Sequence, residues 1–481
     1  MILENLRKNR LTHATLRCRQ KTKRTFFSAL MVALSICACE RQPVNEIVDL
    51  PQIMERKKLV VATCSNAVDY FVYKGEPMGF HYELFTELGK HLGLKVEFLV
   101  GKSYAENVQR LADRQCDIVA SELLTDNSMP ATCIDTLYME RQTLVQRKPD
   151  QWKKMTAQQL EQSLMRDPEN LNGKTVYVSG WSALAGGKDF APDRQIRFVA
   201  LEGVTSEGLI RSVANGELDY AICNWSEARL FDRNYDNVDL KTELGELPVG
   251  WLVRPTSVDL QQKIDQWLAT FKKTTQYAVL FQKYHTGVTI QKNASNKWFA
   301  NRTGVISEYD DLFRKYSAEI DWDWRLLAAL VCQESRFAPD VRSRKGAYGL
   351  MQMMPATLEQ FGTDTAALPE RQIAAGVAYL RYLDGIIAPF VTDRDERIKF
   401  ILAAYNIGPG HILDACRLAG KYGKNADVWD NNVDLYLLGK SDPKYYNDPE
   451  VRHGKCYGRE TYSFVAQIME RYEHYKNIGK I

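Results

Sequence analysis

Residues 331–337 read Val-Cys-Gln-Glu-Ser-Arg-Phe, and residues 346–355 read Gly-Ala-Tyr-Gly-Leu-Met-Gln-Met-Met-Pro. These residues indicate the fold of the C-terminal half of the chain. The only acidic residue in this stretch is Glu334, which lies close to the end of an apolar run that begins at Trp324. The length and composition of that run predict a buried helix. The sequence therefore places one carboxyl group at the end of an apolar helix.

Helical periodicity predicts where this carboxyl group points. Leu327, Val331 and Glu334 stand at i, i+4 and i+7 and share one helix face. Burial among apolar side chains disfavours the charged form of a carboxyl group and raises its pKa. A carboxylic acid that stays protonated near neutral pH is a proton donor for a glycosidic bond. The alternative is a solvated surface glutamate, because a shift of the helix frame by one residue would turn Glu334 outward.

Length and composition limit the class of protein. A chain of 481 residues exceeds one ordinary core, so two to three domains are expected. Its hydrophobic content of 45% and charged content of 26% are typical of soluble globular proteins. The net charge of +3 provides no large basic field, so nucleic acid is not an expected partner. The spacing of histidines and cysteines matches no metal site, and we expect neither a metal nor another cofactor.

The N-terminus has the pattern of a targeting segment. Basic residues at 21–24 precede an apolar run of 13 residues, 26–38, which suits a signal peptide and is short for a membrane span. The run ends Ala-Cys, which resembles a lipoprotein signal-peptidase site with Cys39 as the lipidated residue. The alternatives are an ordinary secretory signal and an uncleaved anchor. We expect a signal segment over 1–39 and a tether over 40–53.

Seven cysteines follow Cys39, and this odd number requires at least one free thiol. Cys416 and Cys456 could pair in an oxidising compartment, but sequence does not fix connectivity. Cys332, two residues before Glu334, is expected to be a packed core thiol.

Residues 54–285 alternate predicted strands and helices, which indicates a mostly parallel α/β sheet, and two similar halves indicate two lobes around a cleft. We expect the chain to cross between lobes at 148–174 and at 246–249. The predicted strands lie at 59–62, 96–100, 117–120, 175–178, 196–200, 218–222 and 249–253, and the predicted helices at 80–92, 104–113, 206–214 and 258–284.

A polar linker is expected at 286–303, and residues 304–481 then form a separate helical domain. The predicted helices of this domain lie at 308–319, 324–333, 356–361, 373–382, 396–405 and 462–472.

Four blocks occur in order in the helical domain: Glu334-Ser335, Ser343 with Gly349-Leu350-Met351-Gln352, Ala404-Tyr405-Asn406, and Glu460-Thr461. Together they resemble the family 1 lytic transglycosylases, which have a goose-lysozyme-like fold. In the N-terminal part, the phrases at 75–80 and 117–119 resemble the type-3 periplasmic solute-binding domains. The expected fold is thus a two-lobed, periplasmic-binding-protein-like α/β domain followed by an α-rich, goose-lysozyme-like domain.

The resemblance implies a chemistry. The substrate would be peptidoglycan, cut at the β-1,4 bond between N-acetylmuramic acid and N-acetylglucosamine. Glu334 would protonate the glycosidic oxygen and then accept the proton of the muramyl C6 hydroxyl, which attacks C1 and closes a 1,6-anhydro ring. The nucleophile belongs to the substrate, so no second catalytic carboxylate is required. The nearest other carboxylate, Asp340, follows Pro339 in a predicted turn.

Ser343, Gln352, Tyr405 and Asn406 are the expected substrate-binding residues. Ser343, Tyr405 and Asn406 could orient Glu334 or the acetamido group, and their alternatives are a loop serine, a core tyrosine and a helix cap. Gln352 lies in an apolar-rich run, where a buried amide needs a sugar contact or an internal hydrogen bond.

The sequence departs from the two families at several positions. Phe464 stands where the transglycosylases commonly carry a tyrosine. In the solute-binding domain, Thr125 is followed by no arginine, and the aspartate expected near Asn224 is absent. Both charges that hold a zwitterionic amino acid are therefore missing. We expect the cleft to bind something else, such as a muropeptide or another small ligand, or to be a docking surface.

Three functions compete at this point. The first is a lipid-anchored peptidoglycan lytic transglycosylase of the cell envelope, on the periplasmic side and held at the outer membrane. The second is a muramidase that hydrolyses the same bond with water. The third is a ligand-sensing solute-binding lipoprotein whose lysozyme-like domain is vestigial.

Overall fold

The computed structural model describes residues 48–122, 131–134, 136–180, 182, 196–286 and 298–478. Cys39, most of the expected tether, and Thr125 with the residues after it lie outside these ranges. Val48 and the residues that follow it belong to one compact unit.

The N-terminal domain is built from strands and helices that alternate along the chain. Its strands are β1 (Lys58–Thr63), β2 (Phe71–Tyr73), β3 (Glu76–Met78), β4 (Lys95–Val100), β5 (Ile118–Glu122), β6 (Thr132–Cys133), β7 (Tyr138–Arg147), β8 (Thr175–Ser179), β9 (Arg197–Leu201), β10 (Tyr220–Asn224) and β11 (Val238–Val253). Its helices are α1 (Leu50–Glu55), α2 (Phe80–Leu92), α3 (Tyr104–Ala112), α4 (Ala157–Ser163), α5 (Ser206–Asn215), α6 (Trp225–Phe231), α7 (Val258–Phe271) and α8 (Thr275–Phe281).

In the described residues, nine strands form one sheet in the order β4-β1-β5-β11-β7-β10-β8-β9, with β6 beside β11. The outer strands are parallel within each lobe, whereas β11 and β7 are antiparallel to their neighbours and run through the middle. The two lobes are therefore halves of one sheet, joined by two long central strands. The prediction of a two-lobed α/β domain is confirmed.

The first crossing between lobes lies in β7, so its prediction at 148–174 was wrong. The start of β7 pairs with β11 at Val249, where β11 also borders β5, and the end of β7 pairs with β10. The sequence pattern did not predict β7, because polar side chains that are buried in this strand interrupt its alternation of apolar and polar residues. Gln142 donates to the Asn224 side chain over 2.8 Å, and Gln146 donates to the Met165 carbonyl over 2.9 Å. Polar groups paired in this way are buried at little cost, but they erase the alternation of a strand.

The ends of the expected tether and linker are folded. Asp49 caps α1 and also accepts hydrogen bonds from the backbone of Asp259 and Leu260, both 2.9 Å long. Ile53 is fully buried. The N-terminal domain therefore begins by Val48 and includes residues that we had placed in the tether.

The predicted helix over 258–284 is interrupted after Phe271, because Thr274 caps a new helix by accepting from the Tyr277 amide. At the far end of the expected linker, Phe299 is buried and a short helix follows it.

The C-terminal domain is helical, as predicted. Its helices in the described residues are α9 (Ala300–Thr303), α10 (Asp310–Ser317), α11 (Trp324–Ser335), α12 (Pro355–Gln360), α13 (Pro369–Ile387), α14 (Arg394–Ile407), α15 (Pro409–Lys421), α16 (Asp434–Gly439), α17 (Pro443–Tyr446) and α18 (Gly458–Lys476). The sequence analysis did not predict α9, α15, α16 and α17. The core gathers the apolar faces of α11, α13, α14, α15 and α18.

A hairpin of the N-terminal domain, formed by β2 and β3, packs into the C-terminal domain. Val72 is fully buried in the C-terminal core. At the turn, the Gly75 carbonyl accepts a 2.7 Å hydrogen bond from the Tyr475 hydroxyl, and Glu76 lies 3.2 Å from Arg471. The two domains therefore share an interface that combines apolar packing, a buried hydrogen bond and an ion pair.

None of the helices in the described ranges has the length and apolar character needed to cross a bilayer. The seven cysteines after Cys39 are all free thiols, so Cys416 and Cys456 are not bonded to each other. Cys332 is buried at the interface and contacts the hairpin turn at Gly75, in agreement with its prediction as a packed thiol.

The hairpin turn provides a test of the domain interface. Gly75 has φ +78°, and a Cβ there would lie 2.6 Å from the Phe337 ring and 2.7 Å from the Tyr475 hydroxyl. Gly93 has a similar φ of +69° but nothing within 4 Å. Gly75→Ala should therefore lower the midpoint of thermal unfolding further than Gly93→Ala. The additional loss in the free energy of unfolding should be about 1–3 kcal/mol, because the new methyl group overpacks the interface. Equal losses in the two variants would mean that the turn does not pack against the C-terminal domain.

Candidate active site

Helix α11 positions Glu334 at its last turn. Asp323 caps the start of the helix, and residues 326–332 are buried. Directly after the helix, Arg336 and Phe337 both adopt left-handed backbone conformations, with φ of 52° and 65°. The chain turns away sharply there, which leaves Glu334 at the wall of an open cavity.

The cavity has a volume of about 570 Å³ and lies between α11, the 343–357 loop, α13, α14 and the start of α18. Glu334 and all four predicted substrate-binding residues line it. Its described lining consists of Glu334, Ser343, Lys345, Ala347, Gln352, Met353, Met354, Thr357, Tyr379, Tyr405, Asn406, Ile407, Cys456, Tyr457, Glu460 and Thr461.

The Glu334 carboxyl is partly buried, and burial raises its pKa to about 8. Within the described ranges, no hydrogen bond or ion pair stabilises its charged form. A carboxyl group with this pKa is mostly protonated at neutral pH and can donate its proton to a ligand in the cavity.

Tyr405 and Asn406 lie at the end of α14 and hold neighbouring segments in place. The Tyr405 hydroxyl donates a 2.5 Å hydrogen bond to the Met351 carbonyl. Burial, followed by the nearby charge of Glu334, raises the pKa of Tyr405 well above its ordinary value, so the hydroxyl keeps its proton. Asn406 accepts a 2.6 Å hydrogen bond from the Thr461 hydroxyl, which ties α14 to α18. Both residues shape the cavity as well as line it.

Ser343 and Gln352 belong to the loop across from α14. The Ser343 hydroxyl accepts from the Ala347 amide over 3.0 Å. Gln352, with φ 45°, donates to the carbonyls of Val341 and Gly349 over 3.0 and 2.8 Å. Of the two solutions that we considered for the Gln352 amide, the structure contains the internal hydrogen bonds.

The sequence analysis did not predict two aromatic residues of the cavity. Tyr379, on α13, packs its ring 5.3 Å from that of Tyr405, and Tyr457 is 72% exposed at the rim. The spacing of Tyr379 and Tyr382 at i and i+3 on a predicted helix was a usable signal, whereas Tyr457 lies before α18 in a segment without periodicity.

Phe464 is buried in the core and provides no hydroxyl to the cavity, and Tyr462 is not part of the described lining. Asp340, the nearest alternative carboxylate, also lies outside the described lining. Its carboxylate is 3.4 Å from the Tyr348 hydroxyl.

A second, smaller cavity of about 40 Å³ lies between the lobes of the N-terminal domain. Asn224 lines it, on the position where an aspartate was expected from the resemblance to amino-acid-binding domains.

Two family models match the chain. The model for bacterial extracellular solute-binding proteins, family 3, matches residues 59–287, and the model for the transglycosylase SLT domain matches residues 311–428. Among curated proteins, the membrane-bound lytic murein transglycosylase F of Photobacterium profundum is 30% identical over 464 residues, which cover 94% of this chain and 86% of the relative. The chain belongs to the membrane-bound lytic murein transglycosylase F family.

Another relative agrees with this assignment. The protein of the same name from Serratia proteamaculans is 31% identical, over 88% of this chain and 85% of its own length. A solved structure of an ancestral amino-acid-binding protein, AncCDT-1, is 23% identical, with a TM-score of 0.40 over 49% of this chain and 98% of that chain. The prediction of a lytic transglycosylase enzyme is confirmed by the family, and the relatives' name places the family at the cell envelope.

The raised pKa of Glu334 predicts how stability depends on pH. The unfolded chain ionises this carboxyl near its ordinary value of 4.5, whereas the folded chain retains the proton up to about pH 8. Wild-type stability should therefore fall with rising pH between these values, and Glu334→Gln should remove that fall. The free energy of unfolding of Glu334→Gln, relative to that of the wild type, should increase by roughly 2–3 kcal/mol between about pH 5 and pH 7.5.

Urea unfolding at both pH values measures this difference. Glu460→Gln is the matched control, because it removes an exposed carboxyl from the same cavity. If the difference in the free energy of unfolding between Glu334→Gln and the wild type stays constant with pH, Glu334 ionises like a surface carboxyl.

Proposed function

We propose that this lytic transglycosylase cuts the β-1,4 bond between N-acetylmuramic acid and N-acetylglucosamine in peptidoglycan and leaves 1,6-anhydro-muramyl ends during cell-wall remodelling. The observation that carries the proposal is the partly buried carboxyl of Glu334, with a pKa of about 8, at the wall of an open cavity. The SLT match over residues 311–428 supports it.

Glu334 acts first as the acid in the proposed reaction. It donates its proton to the glycosidic oxygen as the bond to C1 breaks, and becomes a carboxylate. The carboxylate then takes the proton of the muramyl C6 hydroxyl as that oxygen forms its bond to C1. The proton count closes, and Glu334 returns to the protonated state. An apolar wall favours each return to the neutral form.

The cavity offers polar groups for orienting a sugar. We propose that Asn406 and Ser343 hydrogen-bond the acetamido group or the ring hydroxyls, while Gln352 and Tyr405 keep the loop and α14 in position. Their internal hydrogen bonds support the positioning role. Tyr379 and Tyr457 provide aromatic surface for the faces of sugar rings.

A muramidase is the second candidate, and one observation favours it. Glu460 places an exposed carboxyl in the same cavity, at the first turn of α18. A hydrolase could use that group to activate water. The two reactions give different products, since hydrolysis leaves a reducing end and the intramolecular attack leaves an anhydro ring. A vestigial catalytic domain would give neither product.

Mass spectrometry of digested sacculi tests both the reaction and its acid. Wild-type protein should release anhydro-muropeptides. Glu334→Gln should lower the rate of release by roughly 10²–10⁴-fold, because a general acid typically contributes a rate factor of that size. Asp340→Asn is the control and should keep the wild-type rate, since this carboxylate lies outside the cavity lining. Products with reducing ends would show that the enzyme is a muramidase and not a lyase. Murein digestion by Glu334→Gln at the wild-type rate would refute the assignment of Glu334 as the acid.

We propose that the chain is anchored at the outer membrane, on the periplasmic side, through a lipid on Cys39. The apolar run before Ala38-Cys39 supports this, as does the word membrane-bound in the names of the relatives.

We also propose that ligand closure of the N-terminal lobes changes access to the catalytic cavity. One continuous segment supports this coupling. Asn66 and Asp69 line the cleft, and the hairpin that follows reaches Cys332, two residues before Glu334, and Arg471 on α18. A few residues of chain therefore join the cleft to a hairpin that contacts the catalytic helix.

The coupling predicts an effect of ligand on rate. A muropeptide should change the rate of murein digestion by about fivefold or more in the wild type. Glu76→Gln, which removes the charge facing Arg471, should reduce that response. Glu97→Gln breaks the Lys58 ion pair on the far edge of the sheet and should leave the response intact. An unchanged response in Glu76→Gln would contradict this path.

A further inference from the structure

The C-terminal domain contains a fully buried ion pair. Asp414, on α15, accepts a 2.7 Å hydrogen bond from the ammonium group of Lys440, directly after α16, and both side chains are 0% exposed. Burial alone would raise the pKa of Asp414, but hydrogen bonds from Lys440 and from backbone amides lower it well below its ordinary value, so the carboxyl is ionised. Replacing a buried pair of this kind by apolar side chains often costs a protein no stability. Stability of the fold is therefore a weak explanation for these two charges.

The pair holds a length of chain without regular secondary structure, residues 452–457, which we call the anchored segment. Asp414 accepts hydrogen bonds from the first two amides of this segment, over 3.0 and 2.9 Å. The Lys440 carbonyl accepts from the Cys456 amide over 3.3 Å. The pair therefore contacts the backbone of the anchored segment near both of its ends.

The anchored segment ends in the wall of the catalytic cavity. Tyr457 lines the cavity and is 72% exposed. Lys455, in the same segment, lies 4.9 Å from the centre of its ring. Gly458, the first residue of α18, packs so closely that a Cβ there would lie 2.1 Å from the Leu437 carbonyl of α16. Because an exposed ring has few contacts of its own, the position of Tyr457 depends on the backbone that carries it.

We propose that Asp414 and Lys440 are positioning residues of the transglycosylase, which act through the anchored segment to hold the Tyr457 ring where it meets a sugar of the glycan strand. The inference rests on the proposed function, in which Tyr457 provides surface for a sugar ring. A binding group that is fixed before the ligand arrives loses less conformational entropy on binding. The pair therefore acts on the affinity for the glycan strand and leaves proton transfer at Glu334 unchanged.

Binding of the full-length Glu334→Gln protein to insoluble sacculi, measured by cosedimentation, tests this role without turnover. In that background, Asp414→Asn should weaken binding about tenfold, since the segment and its tyrosine must then be ordered by the ligand. Asp310→Asn is the matched control and should bind as its parent does. Asp310 is also a buried carboxyl that accepts from two backbone amides, over 2.8 and 2.9 Å, but it lies outside the described cavity lining.

A double-mutant cycle separates positioning from a general loss of structure. Tyr457→Ala should weaken binding by a similar factor, and Asp414→Asn should then add little, because the ring that the pair positions is already gone. In the Tyr379→Ala background, the full effect of Asp414→Asn should remain. Equal losses in the Tyr457→Ala and Tyr379→Ala backgrounds would show that the pair has only a structural role, and unchanged binding in folded Asp414→Asn would also overturn the inference.

A neutral pair keeps the test open if Asp414→Asn fails to fold, judged by its thermal midpoint. Asp414→Asn combined with Lys440→Met leaves no unpaired charge in the core and makes the same comparison. With Glu334 present, the variants should raise KM for murein and leave kcat unchanged, whereas a lower kcat at an unchanged KM would contradict the positioning role. Failure of the Glu334→Gln protein to bind sacculi would contradict the proposed function as well, whereas the outcome of the cycle bears on the pair alone.

Discussion

The proposed reaction of the catalytic domain depends on one carboxyl group that burial shields from water. Glu334 sits at the last turn of an apolar helix, where no cation or hydrogen-bond donor among the described residues stabilises its charge, and burial raises its pKa to about 8. Each further pKa unit corresponds to about 1.4 kcal/mol of preference for the neutral form. The helix core, the sharp turn at Arg336 and Phe337, and the loop held by Tyr405 all serve to keep that environment constant.

The C-terminal cavity contains two carboxyl groups in different surroundings. Burial, without a charged partner among the described residues, keeps Glu334 protonated, which suits proton transfer. Glu460 lies exposed in the first turn of α18, at the same cavity. The surroundings, and not the side-chain chemistry, therefore distinguish the two groups.

The domain interface includes a hairpin of the N-terminal domain. The hairpin that follows the cleft residues inserts Val72 into the C-terminal core, and its turn fits only a glycine at position 75, where Phe337, Tyr475 and Cys332 surround it. Packed interfaces of this kind move as units rather than deform. The hairpin is therefore one contact through which the N-terminal domain reaches the catalytic helix.

The sequence by itself determined the two-domain order, the strand–helix alternation, the apolar helix with Glu334, and the motif residues that turned out to line one cavity. These features are local, since periodicity and short motifs are written in neighbouring residues. Only the tertiary structure decided the rest. The central strand β7 was hidden because its buried glutamines pair with side chains and carbonyls far away in sequence, and Tyr457 reached the cavity from a segment without a pattern.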